Sequence, residues 1–326
     1  MQNIKLKQNK IYYSFSDYVK HKFNTKVGKI SIDTDFGCAH KARNGGCRFC
    51  NLESYKPSYI IEDNINNQWI NGVKNYINRY QKFYAYFQLG TPLSPLASKE
   101  SLIYANKLIY FDNCVGLMFG ARSDMLEDYI LKELNDLSIY TGKEIWLEMG
   151  LQTSNDETSK FINSWHSYDF FSKMVKHIKC NYSNLIICTH IIFGLPKKIT
   201  ENINCNKKVI ELESRDEMLQ TVIDVSKLEI DAIKFHQLDI VIGSYFEKMY
   251  KKYYFPILDE DYYIDLIIDA LTFTNKNVVI ARLIGDSLGH TLIAPKWKKS
   301  KSEIINIVTK KMIEKDIIQG VNFIKN

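Results

Sequence analysis

Seven short apolar segments recur along the chain and set its overall pattern. They span residues 29–36, 83–89, 114–122, 144–152, 185–194, 231–238 and 278–286. Several are nearly unbroken apolar runs, which is typical of strands covered on both faces in a parallel sheet. The pattern therefore predicts a parallel β-sheet built from these segments.

The segments between these runs have a helical pattern. The stretches NQWINGVKNYINRYQK, KESLIYANKLIYF and DEMLQTVIDVSKLEI space their apolar residues by three and four, as amphipathic helices do. Alternation of strand and helix over six or seven units is typical of an α/β fold, either a partial or complete β/α barrel or a doubly wound open sheet. We predict the barrel, with functional residues at the carboxyl ends of its strands.

The chain is predicted to consist of a partial barrel at residues 1–240 and a C-terminal extension at residues 241–326 that packs on it. Within the barrel, residues 197–214 are polar and charged and directly follow Gly194, Leu195 and Pro196, which predicts an inserted loop. Such a loop lies at the mouth of the barrel. There it would either cover a substrate or be a passive excursion.

The composition indicates a folded protein without a membrane partner. Hydrophobic residues make up 45% and charged residues 25% of the 326 residues, and the N-terminus lacks the apolar core of a signal peptide. We therefore expect a cytoplasmic protein. The net charge of +6 and the lysines of KWKKSKSEIINIVTKKM favour an anionic partner such as RNA, although lysine-rich ends are more often solvated surface.

Three of the seven cysteines are close together in the chain. Cys38, Cys47 and Cys50 form a C-x8-C-x2-C pattern in the loop CAHKARNGGCRFC, directly after the first strand-like run. In a reducing compartment such a group indicates a metal centre, since it does not look like a secreted disulfide framework. A 4Fe-4S cluster with three protein thiolates leaves one iron open, which can bind the amino and carboxylate groups of S-adenosylmethionine (SAM).

A structural zinc site is the alternative for the same cysteines. His40 lies two residues after Cys38 and offers a fourth ligand for a Cys3His tetrahedron. The position after the first strand favours the iron-sulfur cluster, because a SAM-cleaving centre belongs at the carboxyl ends of barrel strands. The other cysteines lack the spacing of a second cluster: Cys114, Cys180, Cys188 and Cys205.

Several longer sequence blocks cover most of the chain. In order they are YYSFSDYVKHKFNTKVGKISID, the cysteine loop, YFQLGTP, GARSDML, WLEMGLQTSNDET, HIIFGLP, IKFHQL, RLIGD and APKW. Together they resemble the YhcC/YtqA-like radical SAM protein family, which is related to the Elongator catalytic subunit radical SAM group. The resemblance implies a partial (β/α)6-type radical SAM barrel with a C-terminal extension, a 4Fe-4S cluster on the three cysteines, and SAM across the strand ends.

The resemblance also implies that polar side chains at the strand ends bind SAM or line its cavity. These residues are Gln88 and Thr91 near the methionyl part, Glu148 and Gln152 near the ribose, and Arg122, Asp124, His190, Lys234 and His236 around them. Each has a plainer interpretation, an ion pair for the charged residues and a hydrogen-bonded core position for the histidines, because charges inside strands are costly unless paired. No particular residue is predicted to be catalytic.

The chain departs from the family pattern at three places. Its first two cysteines enclose a shorter segment than the usual CPNRDG followed by glycines, which leaves the loop's shape and redox tuning open. After HIIFGLP it has Lys197 and Lys198 in place of Gly-Glu. The NRGH-like stretch is NSWH at residues 163–166, without the arginine that would meet an anionic group.

The resemblance further implies a tRNA-modifying enzyme that acts on the aminomethyl side chain of wobble uridine. Its partners would be tRNA and an electron donor such as flavodoxin or ferredoxin. Lysines near the C-terminus, with Lys197 and Lys198, would contact phosphates. The alternatives are a radical SAM enzyme acting on a peptide or small metabolite, and a zinc-binding protein without catalysis.

Overall fold

A computed structural model describes residues 11–60, 64–202, 207–285, 287 and 289–324. The strands are β1 (Val27–Ile32), β2 (Lys82–Phe87), β3 (Cys114–Ala121), β4 (Glu144–Gln152), β5 (Leu185–Phe193), β6 (Pro196–Asn202), β7 (Lys207–Leu212), β8 (Ala232–Gln237), β9 (Ile240–Val241), β10 (Val279–Arg282) and β11 (Leu292–Ala294). The α-helices are α1 (Phe15–Phe23), α2 (Ala39–Asn44), α3 (Ile65–Tyr76), α4 (Ser98–Leu108), α5 (Asp128–Thr141), α6 (Asp156–Phe161), α7 (Tyr168–Asn181), α8 (Arg215–Ser226), α9 (Tyr245–Lys252), α10 (Glu260–Phe273) and α11 (Lys301–Glu314). Among the described residues, no helix has both the length and the apolar character needed to cross a membrane.

One sheet contains all seven predicted strands. Its order is β1-β2-β3-β4-β5-β8-β10, and every neighbouring pair is parallel. The sheet curls into a half-barrel, and its edge strands β1 and β10 do not pair with each other within the described ranges. The predicted partial barrel is confirmed. Strand order follows chain order without the reversal that a doubly wound sheet requires.

The last strand of the half-barrel comes from the predicted C-terminal extension. Strand β10 pairs with β8, with Val279 opposite Ala232. The extension therefore completes the sheet in addition to packing on it. The division of the chain at residue 240 stays a prediction.

The two faces of the sheet bury different side chains. Residues such as Phe83, Leu147 and Phe235 join the large core between the strands and the surrounding helices. Tyr84 and Trp146, which alternate with them along the same strands, belong to a smaller cluster inside the half-barrel. Because successive side chains of a strand point to opposite faces, strands buried on both sides have the nearly continuous apolar sequences seen here.

The amino-terminal mouth of the half-barrel is filled by α1 around a buried carboxylate. Glu144, at the start of β4, accepts hydrogen bonds from Trp146 Nε1 at 3.0 Å and from the hydroxyls of Tyr18 and Tyr84. Lys22 of α1 pairs with the same carboxylate. Filling this end places the open space of the half-barrel at the carboxyl ends of its strands.

Residues 197–214 differ from the predicted loop, because most of them form an antiparallel hairpin of β6 and β7. Ile199 lies opposite Ile210, and Ile210 is buried. Lys197 pairs with Glu211 on the other strand at 3.3 Å. Charge pairs between the two strands stabilise the hairpin, so it does not need alternating apolar and polar residues. Without that alternation, the sequence of the hairpin looks like a polar loop. Cys205 of this segment lies outside the described residues.

Glu213, directly after the hairpin, is a buried acid. It accepts a hydrogen bond from Thr153 Oγ1 at 2.6 Å. Burial raises its pKa from 4.5 to about 7, although the Thr153 hydrogen bond opposes the shift. The folded protein therefore holds this proton more tightly than the unfolded chain. The stability that results is fully present below pH 4.5 and is lost as the pH rises through about 7.

We expect Glu213→Gln to remove this part of the pH dependence. The free energy of unfolding of the variant, measured by urea denaturation of metal-free protein, should fall less between about pH 5 and pH 8 than that of the native chain. Glu211→Gln, on the exposed side of the hairpin, is the control and should keep the native slope. A native slope in Glu213→Gln would contradict the assignment.

Candidate functional site

A cavity of about 270 Å³ opens at the carboxyl ends of the half-barrel strands. Its wall combines side chains from β2, β4, β5, β8 and β10 with residues of the loops that follow them. In a β/α barrel, side chains from different strands converge at this end. The cavity is therefore the candidate active site.

The three cysteines lie in one loop beside this cavity. Cys38 precedes α2, and its Sγ accepts a hydrogen bond from the helix backbone at 3.4 Å. Gly45 and Gly46 follow with φ angles of 78° and 77°, a left-handed conformation that glycine adopts at little cost. They reverse the chain toward Cys47, and a turn then follows in which Cys50 N donates to Cys47 O at 3.1 Å.

As whole residues the three cysteines are intermediate in exposure, whereas burial dominates the environment of the Cys47 and Cys50 thiols. Burial raises the pKa of Cys47 to about 11, with the Arg122 charge opposing it. Burial, followed by the charges of Cys47 and Cys38, raises the pKa of Cys50 to about 12. Without a metal, these raised pKa values keep the thiols protonated. Coordination to a metal would stabilise the thiolate forms, so a group of such thiols favours a metal centre. The donor set thus fits an iron-sulfur cluster with three protein ligands.

The loop after β2 holds the beginning of the cysteine loop. Thr91 Oγ1 accepts a hydrogen bond from Ala39 N at 2.9 Å, and Thr91 N donates to Gly37 O at 2.9 Å. Gly90 lies so close to Gly37 that an added Cβ would be 1.8 Å from its carbonyl oxygen. Thr91 therefore positions the loop and is absent from the described residues that line the cavity.

His40 is engaged away from the thiols. The ring is fully buried, with Nε2 2.7 Å from Asn163 O and Nδ1 3.5 Å from the side-chain amide of Asn44. Asn163 in turn donates from Nδ2 to Asn44 O at 2.9 Å and to Gly46 O at 2.7 Å. Since both ring nitrogens face other partners, His40 organises the loop, which disfavours the Cys3His zinc site.

Arg122 connects the cysteine loop to the segment at residues 163–166. Its guanidinium donates to Ser164 O at 2.6 Å and contacts Cys47 Sγ at 3.7 Å. It also pairs with Asp124 at 3.0 Å. This ion pair is the plainer interpretation of both residues. Arg122 nevertheless lines the cavity, whereas Asp124 is not among the described residues of its wall.

Glu148 is the centre of a buried polar network deeper in the cavity. Its carboxylate pairs with Lys234 and accepts a hydrogen bond from the Tyr86 hydroxyl. Lys29 Nζ lies 3.4 Å from one carboxylate oxygen, and His190 Nε2 lies 3.5 Å from the other. The Glu148 and Lys234 side chains are only 1% and 2% exposed, so each needs the other as a counter-charge.

The charge of this network is determined by burial and by the lysines. Burial by itself would raise the pKa of Glu148, but Lys234 and Lys29 outweigh it and hold the pKa well below its ordinary value. Glu148 is therefore an anion. One ligand atom each from Glu148, Cys188 and His190 lies within 4.8 Å of the others, a spacing that suits a metal ion. The Lys234 ammonium on the same carboxylate makes this position unfavourable for a cation.

Two stacked histidines form another part of the wall. The rings of His190 and His236 lie 5.4 Å apart at 20° to each other. Burial lowers the pKa of His190 to about 4 and holds the pKa of His236 well below its ordinary value, so both rings are neutral at neutral pH. His236 Nε2 has no hydrogen-bond partner among the described residues, and His190 Nε2 has only the long 3.5 Å contact with Glu148. The pair can therefore offer neutral donors or acceptors to a ligand.

The cavity brings together most of the side chains predicted from the strand ends. Seven of the nine predicted residues line it: Gln88, Arg122, Glu148, Gln152, His190, Lys234 and His236. Thr91 and Asp124 lie in neighbouring contacts instead, as described above. Binding of SAM by these residues stays a prediction.

Sequence reasoning missed other polar residues of the cavity. Tyr86, Arg282 and Asp239 line its wall, and Lys29 reaches Glu148 from β1. Lys29 and Arg282 each interrupt an apolar strand segment, where a charge is costly unless paired, so the sequence carried a signal for both. Tyr86 carried no such signal, because aromatic residues are common in strands.

Comparisons with known proteins cover nearly the whole chain. Residues 230–314 match the model of the Radical_SAM C-terminal domain. MJ0486 of Methanocaldococcus jannaschii is 31% identical over 324 residues, which is 97% of this chain and 93% of that protein. YtqA of Bacillus subtilis is 27% identical over 333 residues, and YhcC of Escherichia coli K12 is 28% identical over 295 residues. They cover 96% and 90% of this chain, and 93% and 89% of their own lengths.

A solved structure with a similar fold is that of archaeal Methanocaldococcus infernus Elp3 with an N-terminal deletion. The TM-score is 0.60 at 17% identity, over 90% of this chain. The alignment spans 64% of the Elp3 chain, so this protein corresponds to less than two thirds of it. This likeness concerns the fold.

Proposed function

Because the chain belongs to the YhcC/YtqA-like family of radical SAM proteins, we propose that it cleaves SAM reductively to modify a wobble-uridine side chain of tRNA. The observation that carries the reaction class is the loop that gathers Cys38, Cys47 and Cys50 beside the cavity. The substrate rests on the family resemblance. Reaction class and substrate are therefore tested separately.

Cys38, Cys47 and Cys50 would hold a 4Fe-4S cluster. When bound, the cluster and SAM on its open iron supply reductive cleavage of SAM and the hydrogen abstraction that follows. The protein's contribution is to hold this centre and the substrate carbon in place and to limit the access of water. Arg122 contributes a positive charge next to Cys47, which favours the thiolate form of that ligand.

The polar wall of the cavity would bind SAM. Gln88 is pre-oriented for this, because its Nε2 donates to Ser31 Oγ at 2.8 Å and leaves its carbonyl oxygen as an acceptor. His190 and His236 present neutral nitrogens nearby. The Glu148 carboxylate is already occupied by Lys234 and by the Tyr86 hydroxyl. Its role is therefore to hold the Lys234 and Tyr86 side chains in position beneath the ligand. Alignment of this kind, set before binding, lowers the entropic cost of reaching a reactive geometry.

Charges around the cavity support an anionic substrate. Its wall contains Arg122, Lys234 and Arg282 against Glu148 and Asp239. In the part of the chain that the structure describes, Arg282 forms no ion pair. A guanidinium without a counter-ion at a cavity wall is suited to a carboxylate or phosphate group.

The predicted phosphate contacts near the hairpin receive less support. Lys197 pairs with Glu217 at 2.9 Å and with Glu211 at 3.3 Å, and Lys198 also pairs with Glu211 at 3.3 Å. At the C-terminus, Lys311 pairs with Asp265 in the same way. These lysines would have to exchange a carboxylate for a phosphate, so RNA contacts are better sought elsewhere.

The test begins with protein reconstituted anaerobically with iron and sulfide. We expect equal amounts of iron and sulfide and little zinc, and formation of 5′-deoxyadenosine from SAM with a chemical reductant. Adding tRNA from a strain that lacks the gene should increase this product and alter a wobble nucleoside, whereas tRNA already modified should not. Zinc without iron would overturn the reaction class and leave a zinc-binding protein.

A separate result would contradict the tRNA substrate. If SAM is cleaved, but tRNA neither increases 5′-deoxyadenosine formation nor shows an altered nucleoside, the tRNA assignment fails and the reaction class stands. A peptide or small-metabolite substrate would then be sought by its ability to increase 5′-deoxyadenosine formation.

A further inference from the structure

We propose that Trp165 and the exposed cations of α2 form a docking surface for a single-stranded RNA loop, with one base stacked on the indole. This inference rests on the proposed function, since it states how an RNA substrate would meet the site. The surface consists of Trp165, Lys41 and Arg43, and Asn163 connects its parts through hydrogen bonds to the indole and to Asn44 at the end of α2.

Trp165 has an unusual conformation for an exposed residue. The residue is 64% exposed, and its φ angle of 68° is in the left-handed region. Bulky residues rarely adopt that region, and they keep it where the surrounding structure imposes it. Asn163, two residues earlier, has a φ of 57°. The backbone thus carries strain while the largest apolar side chain of the segment stays in solvent, which points to a role in contact with a partner.

The indole is held in a fixed position relative to the cysteine loop. Trp165 Nε1 donates to Asn163 Oδ1 at 2.7 Å. The other side of the same amide, Asn163 Nδ2, donates to Asn44 O and Gly46 O at 2.9 Å and 2.7 Å. The hydrogen bond uses the edge of the indole and leaves its faces available. An aromatic face fixed in advance loses little conformational freedom when a base stacks on it.

Exposed cations flank the residues that hold this indole in place. Lys41 and Arg43 are exposed on α2, and α2 ends at Asn44, whose carbonyl oxygen is bonded to the Asn163 amide. Within the described part of the chain, neither cation has an ion-pair partner. Lys160 is also exposed and unpaired there, and its carbonyl accepts Asn163 N at 3.1 Å. An aromatic face among free cations matches the base and the phosphates of single-stranded nucleic acid.

The surface is directly connected to the cavity wall. Ser164, between the two strained residues, accepts the hydrogen bond from Arg122, which lines the cavity. A nucleotide stacked on Trp165 would therefore lie at the rim of the site, with its neighbour in the strand able to enter. An acidic electron-donor protein is the other partner that a cationic surface near the cysteines would attract. The exposed aromatic face favours RNA, because stacking on bases uses that face irrespective of sequence.

The experiment measures binding of a fluorescently labelled anticodon stem-loop RNA to the reconstituted full chain. We expect Trp165→Ala to weaken binding between about fivefold and a hundredfold, and Trp165→Phe to recover most of the loss. Tyr140→Ala is the matched control: Tyr140 is 81% exposed in the last turn of α5, at the amino-terminal end of the half-barrel. The double variant Lys41→Ala with Arg43→Ala removes two cations and should reduce the slope of log Kd against log salt by about 1.4.

The outcomes separate this inference from the proposed function. Native RNA affinity in Trp165→Ala would overturn the docking surface and leave an RNA substrate in place, whereas a native protein that binds no RNA would overturn the RNA substrate itself. If Trp165→Ala keeps its RNA affinity but is reduced more slowly by flavodoxin, the surface belongs to the electron donor and the inference is wrong. RNA-independent SAM cleavage should stay unchanged in Trp165→Ala, which shows that the variant is folded.

Discussion

Cys47→Ala is expected to lose both the iron-sulfur cluster and SAM cleavage. Cys47 is in the middle of the ligand set, held between Arg122 and the turn to Cys50, and two remaining thiols do not retain a cluster that needs three. Iron and sulfide content, the visible absorption of the reconstituted protein and 5′-deoxyadenosine formation should all fall to background.

Cys180→Ala is the matched control for this variant. Cys180 is an exposed thiol near the end of α7, outside the cysteine loop. The Cys180→Ala protein should bind as much iron as the native protein and cleave SAM at the native rate. If Cys47→Ala kept a normal cluster, the assignment of the three ligands would be wrong. If Cys180→Ala also lost the cluster, the loss in Cys47→Ala would not be specific to a ligand cysteine.

Glu148→Gln is expected to be the most destabilising single change in the cavity. It leaves the Lys234 ammonium buried without its counter-charge, and removing one partner of a buried pair costs about 3–5 kcal/mol in free energy of unfolding. Urea denaturation of the metal-free protein measures the loss. Burial lowers the pKa of Lys234 to about 7 even though the Glu148 charge opposes the shift, and loss of that charge lowers it further. The loss of stability should therefore be largest at acidic pH, where Lys234 is protonated, and should reach a smaller, constant value above about pH 7.

A double-mutant cycle distinguishes the ion pair from simple loss of packing. Lys234→Met should also be strongly destabilising, since it removes the main counter-charge of Glu148. The double variant Glu148→Gln with Lys234→Met should cost less than the sum of the single variants, because no unpaired charge remains between these positions. Additive losses would show that the two side chains act independently, contrary to the contact described here.

The cysteine loop shows how far sequence reasoning reaches within one site. Spacing and position after the first strand were sufficient to predict that Cys38, Cys47 and Cys50 form a group. They left open whether His40 joins them, because a sequence does not reveal where a ring nitrogen points. The answer depends on Asn163, a residue 123 positions away that occupies His40 Nε2.

The hairpin shows where local patterns mislead. Ile199 and Ile210 face each other, but the cross-strand pair of Lys197 with Glu211 replaces the alternation that normally marks strands. Such a pair stabilises a hairpin through contacts between positions that are adjacent only after folding. A polar sequence of this kind therefore resembles a loop.

Apolar periodicity and motif spacing were sufficient to predict the strands, the half-barrel and the family, because both are properties of neighbouring residues. Which polar groups meet became visible only in the folded chain. Glu148 and Lys234 are 86 positions apart, and their contact exists because β4 and β8 each pair with β5, so that inward side chains of all three strands face one space. In the same way, Trp165 is held beside the cysteine loop because Asn163 is bonded both to the indole and to Asn44. Contacts of this kind depend on the path of the whole chain, and local patterns do not encode them.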